Sequence, residues 1–135
     1  MQLSLATRTV FMLISLLSGL FSFLYATRPA KVATIQLGDA STPISEVSAM
    51  WGRHVAALLG AYALMLACAS YSGSADRSIV LFAVVYEAAA VVNNESSGAS
   101  ATTCVAHRLR FTATAAVSAY DLWTAHRRQR RPHSS

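Results

Sequence analysis

Residues 9–26 read TVFMLISLLSGLFSFLYA, and residues 55–75 read VAALLGAYALMLACASYSGSA. Neither stretch holds a charge, and each approaches the roughly 20 residues that carry an α-helix across a hydrocarbon core. A third apolar run, Ser78–Val92, contains one carboxylate, Glu87, and a fourth, Phe111–Ala125, contains Asp121 and many small side chains. Only short polar spacers separate them. The expected fold is therefore all-α, an integral membrane helical bundle of three to four transmembrane helices. Their approximate limits are 9–26, 47–71, 77–93 and 107–125.

Composition agrees with this reading. Hydrophobic residues make up 54% of the chain and charged residues 13%, against about 25% charged in ordinary soluble domains. So few charges cannot coat a compact soluble surface, and helices that are apolar all round need lipid or a large protein core around them. One membrane domain over residues 1–125 is expected, followed by a basic tail over 126–135. The net charge of +5 comes from arginine, Lys31 being the sole lysine. Arg8 followed by the apolar run Val10–Leu24 has the form of a signal peptide. A cut after Ala26 or after Ala30, however, would place Leu24 or Arg28 where a small residue is required, so an uncleaved anchor is expected.

Local signals divide the chain further. Arg28-Pro29 should end the first helix near Thr27, since the residue before a proline is biased away from helical backbone. A polar connection is expected from Pro29 to about Pro43, with Ser45 and Glu46 near the start of the second helix. Tyr71-Ser72-Gly73-Ser74 has the composition of a tight turn, and Asp76 is placed to cap the third helix. That helix should fade at Asn93-Asn94, before a loop over Glu95–Thr103. So short a turn forces the second and third helices into an antiparallel hairpin. Glu87 then lies level with Ala61 and Tyr62, to within one helical turn of ~5 Å. Four spans put both termini on one side. That side would carry Arg8, Arg77, Arg127, Arg128, Arg130 and Arg131, facing Arg28, Lys31, Arg53, Arg108 and Arg110 opposite. The dense tail cluster favours a cytoplasmic or matrix location for the termini.

Several residues are candidates for function. Glu87 is an ionisable group inside a span, which is costly and so suggests a role by default. One role is structural, tying the third helix to Tyr62 or to an arginine reaching inward; the other is ion or proton transport. Gly52, Ala56 and Gly60 recur every fourth residue and allow close helix approach, as do Ala115 and Ala119. Such faces serve either the bundle interior or a docking surface for another subunit. His54 and His107 should lie near one membrane face, where the pair could ligate a haem b, although interfacial histidines explain them as well. Arg53 beside Trp51, and Arg127, Arg128, Arg130 and Arg131 in the tail, suit anionic lipid head groups or an acidic partner.

Other features narrow the field. Cys68 and Cys104 fall at opposite membrane faces, too far apart for a disulfide or a shared metal. Asn94-Glu95-Ser96 fits a glycosylation acceptor but lies hard against the membrane. There is no Gly-x-Ser-x-Gly, no His-Glu-x-x-His and no phosphate-binding glycine loop, so no enzyme activity and no catalytic residue is expected.

The layout resembles that of the DoxX-like small four-helix membrane proteins. The likeness rests on a first span closing on Arg28-Pro29, a polar loop with Leu37-Gly38, a second span opening with Trp51-Gly52-Arg53, a tight helical hairpin and a basic tail. It covers about residues 8–131 as architecture. The resemblance implies a helper in assembly or in support of redox complexes, and it transfers no catalytic residue. The leading expectation is a non-catalytic accessory or assembly subunit of a larger membrane complex, such as a respiratory or ATP synthase complex of the inner mitochondrial membrane. The alternatives are a haem- or quinone-binding membrane anchor, and a small transporter using Glu87. Endoplasmic reticulum and plasma membrane are the alternative locations. Other membrane subunits and anionic lipids are the expected partners; no cofactor and no nucleic acid is required.

Overall fold

The chain is described by a computed structural model over residues 1–37 and 46–130. Five helices follow one another among these described residues: α1 (Leu5–Thr27), α2 (Pro29–Leu37), α3 (Glu46–Ser72), α4 (Arg77–Ser96) and α5 (Ala101–Gln129). Among the described residues there is no strand beyond an isolated bridge between Gln2 and Ser74. Three helices among the described residues are long and apolar enough to cross a membrane: α1, the Met50–Ser72 part of α3, and α4. Leu13, Leu16, Leu20 and Phe23 on α1, Leu58 and Leu64 on α3, and Leu81 and Val85 on α4 all lie exposed on the outside. An apolar exterior of this extent is unstable in water and suits lipid. The protein is a multi-pass integral membrane helical bundle.

The first helix ends where the proline signal places it. Arg28 is its C-cap, with its N–H donating to the Leu24 carbonyl. Pro29 does not open a loop, however. It takes the first position of a new helix, where its missing N–H would be unpaired in any case and its fixed φ is already helical. The expected polar connection is thus helical as far as Leu37, and the remainder of it, with Ser45, lies outside the described residues. Asp76 stands at the N-cap of α4, as expected, but its side chain makes no capping hydrogen bond. The loop expected over Glu95–Thr103 is shorter. Helix α4 runs on to Ser96, and Ser100 caps α5 by accepting from the Thr103 N–H. Likewise α5 continues through Gln129, so that Arg127 and Arg128 belong to its last turn and not to a separate tail. Arg131 lies outside the described residues.

The most extensive backbone pairing joins α1 to α3, and the second joins α4 to α5. Along α1 the partners on α3 run backwards: Arg8 Nε donates to the Ser70 carbonyl, Ser15 Oγ to that of Ala63, and Ser22 Oγ to that of Ala56. The two serine contacts need close backbones, because the side chain is short, and small residues permit them. A Cβ added at Gly60 would sit 3.0 Å from Ser22 Oγ, and one added at Gly52 would meet Pro29 and Tyr25 at 3.7 Å. The Gly52–Ala56–Gly60 stripe is therefore bundle interior, packed on α1. On α5 the packed row is one residue away from the expected alanines. Thr114, Ser118 and Asp121 are buried, whereas Ala115 is half-buried and Ala119 exposed.

Both ends of the bundle are tied off. At one end Met1 and Leu3 pair with the α3–α4 turn, where Gly73 holds a φ of +68°. The Ser4 N–H donates to Asp121 at 2.9 Å, and Arg77 donates to Gln129 at 2.7 Å. The N-terminus and the C-terminal end of α5 thus share one end. At the other end the Ser100 N–H donates to the Gln36 carbonyl at 2.7 Å, seating α2 over the α4–α5 connection.

Candidate functional site: a buried ion pair beneath a cavity

Glu87 on α4 is fully buried, and all four long helices converge on it. Tyr62 of α3 donates its hydroxyl to Glu87 Oε1 at 3.0 Å. Arg110 of α5 donates from Nη2 to the same oxygen at 2.7 Å, and also to Ser18 Oγ of α1 at 3.1 Å. The hairpin register expected from the turn is the observed one, since Tyr62 and Glu87 meet at one depth. Helices α3 and α4 meet there mainly through side chains. The Tyr62 ring stacks on Tyr86 with centroids 4.1 Å apart and meets Phe82 edge-on at 6.2 Å. Both structural partners foreseen for Glu87, the tyrosine and an inward arginine, are present together.

By its place in the sequence Arg110 belongs with the surface charges at a membrane face. It instead lies inside, with its side chain 15% exposed. The sequence held a signal for this placement. Arg110, Thr114, Ser118 and Asp121 recur at helical spacing, and the last three are buried with it, so one polar row of α5 faces the bundle. Such a row is tolerable in lipid only when turned inward. Its neighbour Arg108 points the other way and pairs with Glu95 at 2.6 Å on the surface.

Above the ion pair, toward α2, lies a cavity of about 560 Å³. Its walls are mostly apolar, from Leu17 and Phe21 of α1, Ile35 of α2, and Val55 and Leu59 of α3. Polar groups line it from every side but α3: Ser18 and Tyr25 of α1, Gln36 of α2, Tyr86, Asn93 and Asn94 of α4, and His107 and Arg110 of α5. At its mouth the Tyr25 hydroxyl donates to Gln36 Oε1 at 2.6 Å, joining α1 to α2. Three buried atoms of this region have no hydrogen-bonding partner among the described residues: Arg110 Nε, His107 Nδ1 and Glu87 Oε2. Cavities of this size with apolar walls and a few convergent polar groups are the usual form of small-molecule sites.

The remaining expected residues fall elsewhere. His107 lines the cavity. His54 is exposed on α3, with Nδ1 3.0 Å from the Met50 carbonyl and its ring 5.9 Å from that of Trp51; the two histidines do not share the cavity. Arg53 is exposed beside Trp51. Arg127 stacks over the Trp123 ring at 4.1 Å, and Arg128 and Arg130 are exposed next to it. Cys68 and Cys104 are free thiols. Asn94 is buried within α4, and its amide nitrogen donates to the Ala90 carbonyl at 2.7 Å, which leaves it badly placed as a glycosylation acceptor. Among the described residues no group of three His, Cys, Asp or Glu side chains could hold a metal ion. Comparisons with protein-family models, with curated proteins and with solved structures find no match to this chain.

Proposed function

We propose that this chain is a non-catalytic accessory subunit of a larger membrane complex, to which it contributes a cavity that holds a small amphipathic molecule. The observation that carries this reading is the cavity itself, with mostly apolar walls and several polar groups that include Arg110 of the buried ion pair. A pocket of about 560 Å³ accommodates a head group and the first part of an apolar chain. The ion pair favours a structural role for Glu87 over that of a transport carrier, because a carboxylate held by Arg110 and Tyr62 is not readily released. Among the described residues little projects from the helices, which suits a subunit that works within the membrane. The proposed place is the inner mitochondrial membrane, in a respiratory or ATP synthase complex, with the arginine-rich end of α5 on the matrix side.

Native-gel migration of the tagged chain from gently solubilised mitochondria tests this. Proteins in the band are identified by mass spectrometry, and small molecules are extracted from it into organic solvent and identified likewise. The expected result is comigration with a complex of far higher mass and enrichment of one amphiphile. Migration as a small monomer with only bulk lipid attached would sink the reading.

A further inference from the structure

We infer that the cavity above the Glu87–Arg110 pair seats one acyl chain of a bilayer lipid, which enters sideways between α3 and α4 from the leaflet on the α2 side. The head group stays at the mouth, and the chain end lies against the floor. This rests on the reading of the cavity as a ligand site, and it adds the class of ligand and its route.

Depth is the first reason. Glu87 stands at the middle of α4, and the lining of the cavity along that helix runs from Tyr86 beside it to Ser97 at the C-cap. That separation corresponds to a rise of ~16 Å. One leaflet, half of a hydrocarbon core of ~30 Å, has about the same depth. The cavity therefore runs along the helices through one leaflet, as a lipid chain does.

Polarity is the second reason. At the mouth Gln36, Asn93 and Thr103 offer neutral polar groups, at the depth where a lipid head group begins. Below them the walls are Phe21, Leu59 and Ala90, with His107 the one polar lining residue at that level. At the floor the charge of Arg110 is matched by Glu87 at 2.7 Å, and the same Nη2 also donates to Ser18. A head group carried down to the floor would lose its hydration and meet no unmatched charge there. An apolar chain end carries no such cost.

Access is the third reason. Backbones pack side by side in the order α3, α1, α5, α4, and α2 lies across α1 and α5 at the membrane face. Among the described residues α3 and α4 have no comparable backbone pairing; at floor depth they are joined by the stack of Tyr62 on Tyr86. Above that stack the cavity opens between them, where Val55 of α3 and Ala89 and Asn93 of α4 line it and yet are exposed. Leu58 and Val92, on the outer flanks of this opening, are exposed apolar residues that suit lipid. A chain thus passes from bilayer to cavity without leaving hydrocarbon.

The test uses the full chain in nanodiscs of phosphatidylcholine that carries a photoreactive diazirine, at the chain end in one preparation and near the glycerol in another. Labelled residues are mapped by peptide mass spectrometry. The chain-end probe is expected to label Leu17 and Tyr86 at the floor, and the glycerol-end probe Asn93 and Thr103 at the mouth. Val85, exposed on the outside at floor depth, is the control for ordinary lipid contact. Ala90→Phe fills the middle of the cavity and should abolish chain-end label at Leu17 and Tyr86 while leaving Val85 labelled. Val55→Trp, at the side opening, should do the same and is the variant to rely on if Ala90→Phe does not fold. A small soluble phenyl diazirine reports whether the cavity admits any apolar molecule. Floor label from this small probe but not from the lipid would overturn the lipid chain and leave the cavity as the site of a free amphiphile. Floor label from the glycerol-end probe, or chain-end label that persists in both variants, would overturn it as well. If neither the lipid nor the small probe labels the floor while Val85 is labelled, the cavity reading falls and the inference falls with it.

Discussion

Arg110 and Glu87, which lie on the two arms of the α4–α5 hairpin, meet at 2.7 Å, and Ser18 and Tyr62 join them from α1 and α3. A buried pair of this kind contributes less to stability than its Coulomb attraction suggests, because both ions lose their hydration. Its larger effect is on uniqueness. Sliding or rotating any of the four helices would strand a charge in an apolar interior. The first prediction follows from that asymmetry. Glu87→Leu or Arg110→Met alone should cost about 3–5 kcal/mol, while the double variant should recover most of the loss. Reversible unfolding in mixed micelles, analysed as a double-mutant cycle, measures the coupling. Additive losses would mean that the pair does not act as a unit.

Tyr62→Phe keeps the ring that stacks on Tyr86 and removes only the hydroxyl on Glu87. The expected loss is about 1.5 kcal/mol, the lower end for a hydrogen bond to a charged group. The same unfolding assay reads it. A loss as large as that of Glu87→Leu would show that the hydroxyl, and not the arginine, holds the carboxylate.

Gly60 faces α1 inside the bundle, and Ser22 Oγ would lie 3.0 Å from an added Cβ. Gly60→Leu should therefore push α1 from α3, break the Ser22 to Ala56 hydrogen bond and cost about 1–3 kcal/mol as overpacking. Ala119→Leu, at an exposed position on α5, should be close to neutral. If Gly60→Leu left the isolated protein at wild-type stability and impaired only its recovery with partners, the stripe would be an intermolecular surface.

The two termini should be accessible from one side of the membrane. Ser4 bonds to Asp121 and Arg77 to Gln129, so the N-terminus, the α3–α4 turn and the end of α5 share one end of the bundle. Peptide tags placed at either end of the chain should be cleaved or protected together in sealed vesicles. Opposite protection of the two tags would contradict the arrangement of α5.

The helices α1, α3 and α4, the stop at Arg28, the turn at Gly73 and the depth match of Tyr62 with Glu87 were all legible in the sequence. They depend on local properties: uninterrupted hydropathy, the backbone restriction imposed by Pro29, and the 1.5 Å rise per residue that converts spacing into depth. Helix α2 reads as a loop in the sequence because Pro29 ends α1 and the polar run after Leu37 sets the character of the whole connection, whereas the same proline begins a nine-residue helix. The extra turns of α5 were missed because hydropathy reports the span and not the helix that continues past it. Which side of a helix faces its neighbours was the real limit. Ala115 and Ala119 look like a packing face, yet α5 turns Arg110, Thr114, Ser118 and Asp121 inward. That choice depends on what Ser18, Glu87 and the N-terminal Ser4 present on other helices. The sequence by itself determined that this chain is a membrane helical bundle with a carboxylate at its middle, since those properties follow from runs of adjacent residues. Only the tertiary structure decided that Arg110 neutralises that carboxylate, and that a cavity opens beside them. Both depend on the rotation of helices about their own axes, and packing between segments distant in the chain sets that rotation.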